Sequence, residues 1–155
     1  MKNFLRFVLF LSLVVWVGSI IFFSLIAAPA TFRTMELLRD GRPFAGLLIS
    51  RMLFPLHALG ELSAVIFLIF SAVLYKSIRR LQQVLIIVMF ALTLFSQYWV
   101  TPRIEDLRFA VAEGNDAAKR AQFDKLHNTS VALEGTVLLL GLGVVWLLAK
   151  EEQPR

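Results

Sequence analysis

The sequence predicts an all-α integral membrane protein, a bundle of four transmembrane helices that forms a single domain over residues 1–155. Composition is the first reason: 58% of the residues are hydrophobic and only 17% are charged, and the mean hydropathy is +0.74. Soluble domains contain fewer apolar residues and more charges. The second reason is that the apolar residues form runs of about 20, the length that crosses a hydrocarbon core ~30 Å thick. Lipid is therefore the expected solvent for most of the chain.

Four apolar runs define the spans. They are predicted at about residues 7–28, 55–75, 81–100 and 126–149. Pro29 follows the first run and Pro102 the third, and each is expected to end its helix because proline lacks a backbone N–H. The second span is expected to continue from a helix that contains Arg51 and to bend at Pro55. The first run is longer than the apolar part of a signal peptide, so we expect it to be retained as a span.

Basic residues near the span ends predict the orientation. The short turn at 76–80 contains three basic residues and no acidic residue, and Lys2 and Arg6 precede the first span. Short loops decide orientation under the positive-inside rule, so this turn and both termini are expected in the cytoplasm. The connections at 33–42 and 103–125 are expected on the other side. With no targeting presequence before the first span, we expect a bacterial inner membrane.

Several functional classes lack support in the sequence. The net charge is +5 and the pI is about 10.1, but the basic residues lie at the ends of apolar runs, where phospholipid headgroups bind them. The lipid bilayer is therefore the expected partner, and nucleic acid is not. The chain has no cysteine, which excludes disulfides and thiolate metal ligands. It also contains no nucleotide-binding or serine-hydrolase motif, so we do not expect an enzyme.

The two halves of the sequence share a weak repeat. In each half a span ends in proline, and the matching pairs are Pro29 and Pro102, Gly41 and Gly114, and Leu56-His57 and Leu126-His127. Two spans in each half would make the halves parallel repeats, related by an axis along the membrane normal. The spacing between matched residues varies, however, and chance similarity in a leucine-rich sequence is the alternative.

Two histidines and two glutamates are the candidate functional residues. His57 and His127 each stand near the start of an even-numbered span, and Glu61 and Glu134 follow them by four and seven positions. Both spacings return to the same helix face. A charged residue in a span costs at least ~2.5 to 3.5 kcal/mol on insertion scales, so the glutamates are expected to face the bundle interior. If spans two and four face each other, the four side chains form one polar cluster.

A structural explanation of these four residues is the alternative. Histidines at the membrane boundary contact headgroups, and intramembrane glutamates can fix helix packing through polar partners. Arg51, Gln97 and Ser130 are the candidate supporting residues. Arg51 can also extend to lipid phosphate at the outer boundary.

Three short segments resemble a known family. The segments Ser-Arg-Met-Leu-Phe-Pro-Leu-His at 50–57, Tyr-Trp-Val-Thr-Pro-Arg at 98–103 and Phe-Asp-Lys-Leu-His-Asn-Thr-Ser at 123–130 resemble the transmembrane protein 205-like family of four-helix membrane proteins. The resemblance implies the same fold and no established activity. The chain is also distantly similar to CopD-like membrane proteins, which include copper-resistance and haem-associated proteins with histidines in their helices.

Three functions are compatible with these residues. His57 and His127 can bind a divalent metal ion or clamp haem iron, with Glu61 and Glu134 in support. The same residues can instead serve a small transporter or proton relay. Four spans are few for a transporter, so transport would favour a homo-oligomer. The third function is a structural or assembly role without any ligand.

Cysteines introduced one at a time at Ser77 and Ala117 test the predicted orientation. Membrane-impermeant thiol reagents should label Ser77→Cys from the cytoplasmic side and Ala117→Cys from the other side, because one whole span separates the two positions. Labelling of both cysteines from the same side would contradict the orientation.

Overall fold

A computed structural model describes residues 2–38, 41–73, 80–114 and 116–151, and these residues form six α-helices. The helices are α1 (Lys2–Phe22), α2 (Ala28–Met35), α3 (Gly41–Val73), α4 (Arg80–Phe95), α5 (Thr101–Glu113) and α6 (Ala117–Glu151). The π-helical turns Phe23–Ala27 and Ser96–Val100 join α1 to α2 and α4 to α5.

The described helices include four segments long and apolar enough to cross a membrane. These are Asn3–Met35, Pro43–Ala72, Arg80–Ala112 and Ala117–Lys150. The predicted all-α four-helix membrane fold is therefore confirmed. Most of the predicted turn at 76–80 lies outside the described residues.

The four long helices are arranged as a square. Helix α1 packs against α3 and α6, and α4 packs against the same two helices. In the described part of the chain no Cα atom of α3 lies within 8 Å of a Cα atom of α6, so these two helices stand on a diagonal. Helix α2 covers α3, and α5 covers α3 and α6, at the end of the bundle that we call the α2/α5 end.

The prolines at the span ends do not stop the helices. We expected Pro29 and Pro102 to end the first and third spans, but the chain continues into α2 and α5. In both places the proline is in the first turn of the new helix, where its missing N–H removes no helical hydrogen bond. The π-helical turn before it closes with a bond over five residues, from Ala28 N–H to the Phe23 carbonyl and from Thr101 N–H to the Ser96 carbonyl.

A constant spacing of 73 residues relates the two halves of the structure. The π-helical turns begin at Phe23 and Ser96, 73 positions apart. Buried core positions repeat at the same spacing, as in the pairs Leu13 and Ile86, Trp16 and Met89, and Ala64 and Val137. Helix packing repeats as well, since α1 packs on α3 as α4 packs on α6. The structure therefore supports the spacing of the Pro29/Pro102 and Gly41/Gly114 matches and not the spacing of 70 between His57 and His127.

Two apolar clusters fill the bundle. The larger lies between the long helices and contains Trp16, Phe67, Ile86 and Met89. The smaller lies at the α2/α5 end and contains Val100, Ile104 and Leu126. In the larger cluster the Trp16 indole packs directly on α3, where residue 60 is glycine. A Cβ at Gly60 would lie 2.3 Å from Trp16 Nε1.

Gly60→Ala should destabilise the protein, because the added methyl group overlaps a tryptophan that is only 1% exposed and has no room to move. Overpacking of this kind costs about 1 to 3 kcal/mol. Gly143→Ala is the matched control, since a Cβ there meets no atom within 4 Å and alanine favours the helix. Denaturation in mixed micelles measures both variants. Equal stability of the two would contradict the packing of Trp16 on Gly60.

Candidate functional site

His57 is a buried ionisable residue in the middle of the bundle. It lies halfway along α3, two residues after Pro55, and its side chain is 1% exposed. Pro55 has no N–H to donate to the carbonyl of Arg51, which loosens the helix ladder just before the histidine. A buried imidazole needs hydrogen-bond partners, since an unpaired polar group in an apolar interior costs several kcal/mol.

Both ring nitrogens of His57 face oxygen atoms on other elements. The distance from Nδ1 to Gln97 Oε1 is 2.7 Å. Nε2 is hydrogen-bonded to Glu134 Oε1 on α6. The imidazole therefore joins three parts of the fold, namely α3, the π-helical turn Ser96–Val100 and α6. Through Glu134 it connects the two helices that stand on the diagonal of the bundle.

The two bonds define the proton content of the group. A neutral imidazole carries one N–H, but here each nitrogen faces an oxygen. With the Gln97 amide in this orientation, the His57–Glu134 pair needs two protons, either as imidazolium with carboxylate or as imidazole with carboxylic acid. Rotation of the Gln97 amide, which would present its NH₂ group, lowers the requirement to one proton. The three side chains can thus hold one or two protons without losing a hydrogen bond.

Glu61 lies one helical turn from His57 on α3 and interacts with it electrostatically. Its side chain is half-buried. One carboxyl oxygen, Oε1, is fully buried and has no hydrogen-bond partner in the described residues. Glu61 is therefore next to the cluster but not bonded into it. We use the name His57 cluster for His57, Gln97, Glu134 and Glu61.

His127 is not part of this cluster. The sequence placed both histidines and both glutamates together, but His127 is exposed and its ring stacks on Phe123 of the same helix, with the centroids 6.1 Å apart. The constant spacing of 73 gives the reason. At that spacing His57 corresponds to Ser130, which is 7% exposed, and not to His127.

Of the three supporting residues predicted from the sequence, Gln97 and Ser130 are buried and Arg51 is exposed. Gln97 bonds directly to His57, a closer role than the sequence assigned to it. Ser130 is buried, whereas Arg51 is exposed and lies outside the cluster. Gln97 reaches the centre because the π-helical turn buries Ser96, Gln97 and Val100 together. Such turns often occur at functional sites. The only signal in the sequence was a polar amide five residues before Pro102.

The structure does not show the metal or haem site that the sequence allowed. In the described part of the chain no group of three or more histidine, cysteine, aspartate or glutamate side chains is placed to hold a metal ion. Both nitrogens of His57 already have hydrogen-bond partners, so a metal would have to displace one of them. His57 and His127 do not come together to clamp haem iron.

A second polar contact lies toward the α2/α5 end. Arg108 of α5 donates from Nη2 to Ser50 Oγ on α3 at 2.8 Å, and its guanidinium lies 5.9 Å from the Phe123 ring on α6. A Cβ at position 46 would lie 1.5 Å from Arg108 Nη1, so any side chain there would displace the guanidinium from its present position. Arg108 thereby fastens α5 to α3 and α6 next to the smaller apolar cluster.

These features define an integral membrane protein with a polar cluster enclosed in a four-helix bundle. The sequence matches the model of a family described as "Domain of unknown function (DUF4149)" over residues 11–113, which is more than half of the chain. The chain belongs to this family. The matched region includes His57, Glu61 and Gln97 and ends before Glu134. No curated protein and no solved structure is significantly similar to the chain.

His57→Ala should destabilise the bundle by about 3 to 5 kcal/mol, because it leaves Glu134 and Gln97 without their shared partner inside the protein. His127→Ala is the matched control and should change stability by no more than about 0.5 kcal/mol, as expected at an exposed position. Unfolding in mixed micelles measures both. Equal losses from the two substitutions would contradict the different placement of the histidines.

Proposed function

We propose that the protein carries protons in the membrane, with the His57 cluster as its proton-binding site. The observation that supports this function is the pairing of both His57 nitrogens with oxygen atoms of Gln97 and Glu134. A group that can hold one or two protons without losing a hydrogen bond is suited to take up and release a proton. Ionisable residues inside spans commonly mark proton pathways.

The surroundings of the cluster favour a carrier over a continuous proton wire. The larger apolar cluster, with Phe67 and Met89, lies on one side of His57, and the smaller one, with Val100 and Leu126, lies on the other. Toward the far end of the bundle the next hydrogen bond between side chains in the described residues is the part-buried one from Gln83 to Ser71, at 3.3 Å. Ten residues, or about 15 Å of helix, separate Ser71 from Glu61. A site enclosed between two apolar layers resembles the occluded state of an alternating-access transporter.

We also propose an orientation, an oligomeric state and a family relationship for the protein, each supported by a feature of the sequence. The basic turn at 76–80 supports cytoplasmic termini. The bacterial inner membrane stays a prediction from the sequence. The small number of spans supports a homo-oligomer. The short segments around His57, Pro102 and His127 support a relationship to the transmembrane protein 205-like family and, more distantly, to CopD-like proteins. None of these is needed for proton binding at His57.

Proton flux into lipid vesicles tests the function. Purified protein is reconstituted with a pH-sensitive dye inside the vesicles, and a potassium diffusion potential drives protons inward. We expect a flux well above that of protein-free vesicles. His57→Gln should lower the flux by roughly tenfold or more, since glutamine keeps a hydrogen-bonding side chain but cannot exchange a proton. His127→Gln, the same change at the exposed histidine, should leave the flux unaltered.

Two results would refute the proposal. One is a wild-type flux equal to that of empty vesicles, which would leave the His57 cluster with a structural role alone. The other is an equal loss of flux from His57→Gln and His127→Gln. A parallel melting series with Zn, Mn, Fe and Cu tests the metal alternative, because a bound ion at a hundredfold excess over Kd would raise stability by roughly 2.7 kcal/mol.

A further inference from the structure

The two intramembrane glutamates occupy equivalent positions in the two halves of the bundle. Glu61 and Glu134 are separated by 73 residues, the spacing that also relates the π-helical turns and the buried core positions. Both side chains are half-buried. The fold therefore presents the same carboxyl group twice, once from α3 and once from α6.

Their surroundings are not equivalent. Glu134 is bonded to the Nε2 atom of His57. The residue that corresponds to His57 in the other half is Ser130, which is buried but shorter than histidine by the length of an imidazole ring. Accordingly, Oε1 of Glu61 has no hydrogen-bond partner in the described part of the chain. The symmetry is also broken at Gln97, because its counterpart, Ser24, is exposed.

We infer that the two carboxyl groups have different roles in the proposed site: Glu61 exchanges the transported proton between water and the His57–Glu134 pair, and Glu134 stays bonded to His57. In uptake, a proton moves from water to a carboxylate oxygen of Glu61 and forms a carboxylic acid. In release, the same proton returns to water. Equivalent carboxyl groups that differ in their environment often take different roles in proton transfer. This inference rests on the proposed proton-carrying function.

The groups around Glu61 support a role for it that differs from the role of Glu134. Helix α3 contributes His57, which interacts electrostatically with Glu61, and α6 contributes Glu134 through its bond to His57. Helix α1 contributes the neutral Trp16, packed against Gly60. The π-helical turn contributes the neutral Gln97, which bonds to His57 and not to Glu61. His57 is the basic group nearest to Glu61 along α3, one helical turn away, and both of its nitrogens already have other partners.

Infrared difference spectroscopy of the purified protein in lipid, recorded across a pH titration, tests the inference. A carboxylic acid C=O band that appears and disappears with pH is expected from Glu61 in the wild type, in addition to the bands of the nine acidic residues outside the cluster. Glu61→Gln should remove this one component of the difference spectrum. Glu134→Gln, the same change at the equivalent position, should leave a titrating band in place. Survival of this component in Glu61→Gln, or its loss in Glu134→Gln, would overturn the inference.

The repeat offers a second, independent variant. Ser130→His should give Glu61 the partner that Glu134 has, and the titrating band should then shift its midpoint or vanish. Ser130→Leu is the control for bulk, since leucine fills a similar space without a hydrogen-bonding nitrogen, and it should leave the band in place. Equal effects of the two substitutions would count against the inference. If the Ser130 variants do not fold, the comparison of Glu61→Gln with Glu134→Gln decides the question alone.

The outcomes separate the inference from the function on which it rests. A wild-type protein with proton flux, in which Glu134→Gln and not Glu61→Gln removes the titrating band, keeps the function and refutes the division of roles. A wild-type protein with no flux and no titrating carboxyl component from Glu61 refutes both.

Discussion

The hydrogen bond between His57 and Glu134 connects α3 and α6 across the diagonal of the bundle, where their backbones do not touch. Apolar side chains give little preference for one helix arrangement in lipid, because the hydrocarbon tails are as apolar as the core. Directional bonds between polar side chains do give such a preference. With Gln97 as the second partner of His57, this interaction fixes the rotation and depth of three elements at once.

Other features of the fold serve the placement of this group. Gly60, the residue before Glu61, lets the Trp16 indole pack directly against α3. The π-helical turn before Pro102 buries Gln97, and the equivalent turn before Pro29 repeats the geometry in the first half without a polar residue in the same role. Arg108 fastens α5 over α3 and α6. The larger and the smaller apolar clusters lie on the two sides of the His57 cluster along the bundle. An unpaired charge would be costly in such surroundings.

The repeat shows how a nearly symmetric scaffold can hold an asymmetric site. Two halves with the same helix packing and the same π-helical turns bring Glu61 and Glu134 to matching positions. One histidine then breaks the symmetry, since His57 corresponds to a serine in the other half. A single imidazole at the centre has room for bonds to one carboxyl group and one amide, and the second carboxyl group is left outside the hydrogen-bonded set.

The sequence by itself determined the membrane fold, because composition and the length of apolar runs depend only on the solvent and the thickness of the bilayer. It also identified Glu61, Glu134 and His57, since ionisable residues in apolar runs stand out without any knowledge of packing. Only the tertiary structure decided which of the residues meet. His127 satisfied the same periodicity rule as His57, but periodicity fixes a helix face and not the depth at which a neighbouring helix is met. That depth came from the register of 73 residues, set by the π-helical turns and core packing. The proline and glycine matches already had this spacing, but the Leu-His match had a spacing of 70. A slip of three residues changes little in a leucine-rich alignment, yet it moves a side chain by about 4.5 Å along its helix.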